Sequence, residues 1–273
     1  MLKNLFTIFG SFLILLFASP SWAQDDSWAQ DDLEFDKFRI SIGLFLPSAS
    51  TGVRLDASDG TLGTEIKFED DLGVTRKKAL LRLDGLWRFK KRHALAFGYY
   101  DFERDGSNVI DETINFGDQT FIINTQIDSF FDIRVIKLAY TYFPVVKEKT
   151  LVGLSIGFNI TDLGVGLLID NTSISEIRSL NVPLPMIGFE VVQQLGGDFS
   201  LEGSFQFFYI SVGSGTARVF DAKITLNYQI IKNVGIGLGY NYFGFKMDKA
   251  NTNFTGRFQL HYDGLMAFLN FAF

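Results

Sequence analysis

The chain has 273 residues, with 25 Lys and Arg against 31 Asp and Glu, a formal net charge of -6, and no Cys. That balance argues against nucleic acid as a partner, and the missing Cys excludes disulfides and thiolate chemistry. The 26 Gly, 30 Phe and 9 Tyr beside only 5 Pro fit many close-packed strands with aromatic-rich outer faces.

Residues 1–23 read as a secretory signal peptide, because Lys3 precedes the apolar stretch LFTIFGSFLILLFA and Ser21-Trp22-Ala23 offers a small-x-small cleavage site. SWAQDD then occurs twice, at 21–26 and 27–32, which makes Ala29 a second candidate for cleavage. Residues 24–36 are an acidic, flexible lead-in, and residues 37–273 are one β-domain.

From Phe38 onward the pattern is extended, broken by polar or Gly-rich segments. The spans fall at 38–47, 50–56, 62–69, 77–89, 93–104, 129–143, 151–162, 184–194, 199–211, 217–229, 233–245 and 254–273. They predict an all-β fold, a single antiparallel transmembrane β-barrel of twelve strands. Ten and fourteen are the alternatives, since Pro47 and two Ser interrupt the first hairpin, and QTFIINTQID at 119–128 reads as a strand or as an outer extension of its neighbour. Short links at SDGTLG, FKK, PVVKEKT, GGD and IIKN contrast with long ones at 105–128, 163–183 and 246–253, which sets both termini on the inner side. A switch in alternation phase near Gly264 predicts a β-bulge.

Two segments show the faces well. In LVGLSIGFNIT, Val152, Leu154, Ile156, Phe158 and Ile160 share one side, and Gly153, Ser155, Gly157, Asn159 and Thr161 share the other. NVGIGLGYNY likewise sets Val234, Ile236, Leu238, Tyr240 and Tyr242 against Gly235, Gly237, Gly239 and Asn241. The apolar sides are expected to face lipid. Trp87, Phe89, Tyr99, Tyr100, Tyr140, Tyr142, Tyr240 and Tyr242 lie near span ends, where an amphipathic ring meets headgroups and hydrocarbon.

Charge in hydrocarbon is expensive, so the ionisable residues of the spans are expected to line the lumen. These are Arg82, Asp84, Arg88, Asp132, Arg134, Glu190, Glu202, Asp221, Lys223, Arg257, His261 and Asp263. They serve either as a wetted solute path or as mutually paired charges that plug a narrow interior. ISEIRSLNVPLPM reads as a loop leading into a strand, with an apolar mouth as the alternative. His93 and His261 are the two imidazoles, the first in a periplasmic turn and the second in a lumenal network; Ser129 and Ser155 are the nucleophiles to test against them. No spacing supports a metal site, and nothing demands a cofactor.

The SWA cleavage region, the alternating segments and the terminal Phe273 resemble the outer-membrane β-barrel class of Gram-negative bacteria. The resemblance implies a Gram-negative outer-membrane location with both termini periplasmic. It also implies outer-membrane lipids, lipopolysaccharide and the barrel-assembly machinery as partners. It carries no class-specific catalytic or ligand motif. The function expected is a porin-like channel whose restricted lumen passes a small polar or amphipathic solute by diffusion. The alternative is a closed structural or surface-binding barrel acting through its extracellular loops. A lipid-modifying hydrolase would need a lipid-facing Ser and His within reach of each other, and no enzyme activity is expected.

Overall fold

A computed structural model describes residues 35–169, 175–212, 215–248 and 255–273. The expected signal peptide, both cleavage candidates and the expected lead-in as far as residue 34 lie outside the described residues. The elements in order are β1 (Phe38–Leu55), β2 (Ile66–Lys67), α1 (Phe68–Asp71), β3 (Leu80–Lys90), β4 (His93–Val109), β5 (Ile114–Phe116) and β6 (Gln119–Phe121). They continue with β7 (Gln126–Lys147), β8 (Thr150–Leu168), β9 (Ser175–Gly196), β10 (Phe199–Val212), β11 (Gly215–Ile231), β12 (Val234–Asp248) and β13 (Gly256–Ala272).

Ten strands, β1, β3, β4 and β7 to β13, form a closed antiparallel barrel in which each pairs with its neighbour in the chain. Closure is between β1 and β13, unbroken from Arg39 opposite Ala272 to Leu55 opposite Gly256. The count is ten, not twelve, because the spans at 38–47 and 50–56 are one strand and the span at 62–69 is the short β2 with α1. Proline survives inside β1 for a geometric reason. The amide of Ala49 bonds Arg76 on the β3 side, so by alternation the missing N–H of Pro47 faces the same side, just above the last β3 rung at Leu80. QTFIINTQID supplies β6, which pairs with β5 in a separate hairpin, and the start of β7. ISEIRSLNVPLPM is mostly strand: β9 starts at Ser175.

The two faces of the barrel exchange character part-way up. On β12 the outer face runs Ile236, Leu238, Tyr240, Tyr242 and then Gly244, Lys246, Asp248. The inner face runs Gly235, Gly237, Gly239, Asn241 and then Phe243, Phe245, Met247. Leu238 is 64% exposed and Phe243 3%. Strand β13 repeats this, with Leu265, Ala267, Leu269 and Phe271 outside near the periplasm, and Arg257, Gln259, His261 and Asp263 outside further up. No bulge occurs near Gly264, because the register with β12 and with β1 is continuous through it. The phase switch marks the end of the membrane. Below it lipid surrounds the wall, so the outer face is apolar; above it water does, and the apolar face turns inward. The stretch from Val234 to Tyr242 matches the ~9 to 11 residues that a tilted strand needs to span.

Candidate functional site

Inside the membrane-spanning half, small inner residues leave a cavity of about 1010 Å³ that reaches the periplasmic turns, with Lys149, Asp198 and Lys232 at its mouth. Arg39 on β1 donates to both carboxylate oxygens of Glu202 on β10 through Nη1 and Nη2, the latter at 2.7 Å, and Nη1 lies 3.5 Å from Asp36. Arg88 on β3 stands over the ring of Phe143 at 4.9 Å, and Glu190 on β9 accepts from Thr141 at 3.1 Å.

The ceiling of this vestibule is a buried polar network. Arg82 Nε donates to Asp84 at 3.0 Å and its Nη1 to Asn241 at 2.7 Å. Asn241 in turn donates to Asp221 at 2.7 Å; Lys137 also donates to Asp221, and Lys223 lies 3.6 Å from Asp84. Burial of these charges is tolerable because each is paired and hydrogen-bonded. Deep in the vestibule the cations Arg39, Arg82, Arg88, Lys137 and Lys223 meet the carboxylates Asp36, Asp84, Glu190, Glu202 and Asp221 in equal number, and towards the mouth Lys37, Lys149 and Lys232 outnumber Asp198.

Above the ceiling the interior is apolar. Phe45, Phe102, Phe131, Phe243, Phe245, Phe258 and Leu260 are all buried. Tyr100 and Tyr262 satisfy each other through their hydroxyls, and Tyr262 stacks on Phe243 with centroids 4.7 Å apart. One ion pair sits higher still. Arg104 donates to Glu69 Oε1 and to Thr51 Oγ1, both at 2.5 Å, while Glu69 Oε2 accepts from the Thr51 amide at 2.7 Å. Phe68 of α1, Leu72 at its C-terminal end, and Ile114, Phe116 and Phe121 of the β5–β6 hairpin complete this packing from the outer end.

Of the twelve sequence-predicted residues, Arg82, Asp84, Arg88, Glu190, Glu202, Asp221 and Lys223 point inward to the vestibule or its ceiling. Asp132, Arg134, Arg257, His261 and Asp263 lie on the outer face instead, above the apolar belt. Their polar alternation was read as lumenal, but at this height the exterior is wet. There Arg134 pairs with Asp101 at 3.1 Å, and Arg257 with Asp248 at 2.8 Å and Glu65 at 3.3 Å. Asp132 faces Glu103 across the strands, and His261 Nε2 is 3.4 Å from Asp263. Tyr100, expected at the membrane boundary, is buried inside. Ser129 and Ser155 are buried inside as well, away from His261. Sequence reasoning missed Arg39 and Lys137, which share their inner faces with Ser41 and Ala139; the alternation phase of β1 and β7 carried that signal.

No protein-family model matches the sequence, and neither does any curated protein. Among solved structures, the outer membrane protease OmpT from Escherichia coli is similar at a TM-score of 0.57 and 11% identity, over 90% of this chain and 99% of that one. The chain has the fold of an outer-membrane β-barrel. Looser likenesses include the attachment invasion locus protein Ail of Yersinia pestis, at a TM-score of 0.35 and 14% identity over 86% of this chain and 97% of that one. The outer membrane protein OprG of Pseudomonas aeruginosa follows at 0.36 and 10%, over 89% and 99%. At such identities the likeness concerns fold alone.

Proposed function

We propose that this outer-membrane barrel is closed to solute flow and works as a surface-recognition platform through its outer section. The observation that carries this reading is the buried aromatic packing of Phe45, Tyr100, Phe131, Phe243, Phe258 and Tyr262 between the vestibule and the outer end. A wetted path of the kind expected from the charge alternation would have to cross that packing, and five of the charges meant to line it face outward. The outer tip also supports the reading. Val109, Ile122 and Ile123 are exposed around the β4–β7 link, far above the lipid belt, where a protein partner is what covers apolar side chains.

Planar-bilayer recording on the refolded protein tests this, with heat-modifiable gel migration as the folding control. Folded protein is expected to give no unitary steps, and Arg134→Ala or Arg257→Ala to change nothing. Reproducible steps in the folded parent protein would overturn the proposal.

A second reading rests on one observation. Ser50 on β1 stands directly across from His261 on the outer face, at the upper edge of the belt, with Asp263 beside the imidazole. Directly opposed residues have Cβ atoms about 4.5–5.5 Å apart, close enough for the hydroxyl to reach the ring. Lipid-ester hydrolysis lost in both Ser50→Ala and His261→Ala would establish it; equal release by parent and variants would remove it.

A further inference from the structure

Strand β9 pairs with β8 along its length, from Ser175 opposite Leu168 to Gln193 opposite Thr150. With β10 it pairs only from Gly196 to Ile187, which faces Phe207. Beyond that rung, Phe208 to Val212 of β10 pair with β11 and, among the described residues, with no residue of β9. The wall therefore has an open seam between β9 and β10.

The seam begins within the lipid belt. Across β8, Pro185 and Pro183 stand opposite Phe158 and Ile160, and Ile160 is still a lipid-facing side chain. Open sheet edges are not tolerated in hydrocarbon, because each unpaired N–H there costs several kcal/mol. The sequence removes those donors from the β9 edge. The amide of Gln194 bonds Lys149 on the β8 side, so by alternation the backbone groups of residues 183, 185 and 187 face β10. Ile187 makes the last rung, and the next two odd positions are prolines, which have no N–H to leave unpaired. The same two prolines block the addition of a peptide strand along this edge.

Behind the seam the surface is apolar. Leu184 and Met186 point inward and are buried, and Phe208 on the facing strand packs against the interior aromatic cluster. Met is well suited to a variable contact, being unbranched and flexible.

We propose that the seam admits a hydrocarbon chain of an outer-leaflet lipid, held between β9 and β10 against Leu184, Met186 and Phe208. The occupant follows from continuity: the seam opens from the belt that already touches acyl chains, and its β9 edge carries no donor at the two proline positions. This inference does not depend on the surface-recognition reading.

Tryptophan quenching tests it. Phe208→Trp is placed in a protein whose Trp22, Trp28 and Trp87 are replaced by Phe, then reconstituted in vesicles of phospholipid brominated high on the acyl chain. Phe205→Trp on the lipid face and Phe243→Trp in the interior serve as references. The tryptophan at 208 is expected to lose as much emission as the lipid-facing reference, and Pro183→Val with Pro185→Val, which restores the donors that zip the seam, to reduce that loss. Quenching no greater than at 243 would overturn the proposal. Should Phe208→Trp fail to show heat-modifiable folding, Met186→Trp carries the same reading.

Discussion

Arg82 is 2% exposed, yet it satisfies Asp84 and Asn241 while lying 5.4 Å from the centre of the Tyr100 ring. Removing it leaves Asp84 and Asn241 short of a buried partner, and Lys223 alone is too far from Asp84 for a hydrogen bond. Arg82→Ala is therefore expected to cost about 3–5 kcal/mol in reversible urea unfolding from micelles. Arg134 and Arg257 pair on a solvated wall, with side chains 52% and 37% exposed. Their alanine variants should unfold at nearly the parent's urea midpoint in the same assay. A similar loss at all three positions would contradict the assignment of inner and outer faces. From sequence these arginines look alike, each on a polar face of an alternating strand. What separates them is height along the barrel, and alternation does not encode height.

At the scale of a strand, the missing information is the solvent on each side. In the belt the outside is lipid, so apolar means outward; this part was legible in LVGLSIGFNIT and NVGIGLGYNY. Above the belt the outside is water and the same rule reverses, which made β13 look bulged at Gly264. Substitutions along one face of β12 check the boundary. Leu238→Arg, in the belt, should cost about 2–4 kcal/mol of folding free energy in vesicles. Lys246→Leu, on the same face above it, should stay within about 0.5 kcal/mol. Equal costs would mean that both positions meet the same medium. The proline pairs show a second limit of legibility. Pro183 and Pro185 read as a loop because proline removes a ladder bond, but β9 needs that bond on one side only.

The whole barrel joins two proteins of opposite construction end to end: a polar-cored spanning half, and an outer half with the apolar core of a water-soluble domain. Phe243 and Phe258 belong to that core at 3% exposure each. Truncating either to Ala should cost about 3–5 kcal/mol. If the double variant still folds, it is the form in which bilayer recordings should first detect current; silence there would place the barrier in the cap around α1 and the β5–β6 hairpin. The barrel class and the belt could be read from alternation. The apolar core above them could not, because long-range packing of β1, β4, β7, β12 and β13 assembles it.

The charges on the outer wall also bear on how the chain reaches its place. They end beyond the membrane, so an insertion that starts on the periplasmic side must carry them through hydrocarbon. Asp101 on β4 meets Arg134 on β7, Asp162 on β8 accepts from Asn181 on β9, and Asp248 on β12 meets Arg257 on β13. In each case the two strands are joined at the outer end, and so form the tip that crosses first. Travelling as paired hairpins, these tips take Asp101, Asp162 and Asp248 across already neutralised or hydrogen-bonded, whereas a lone strand would take each of the three bare. The placement of these partners favours translocation two strands at a time.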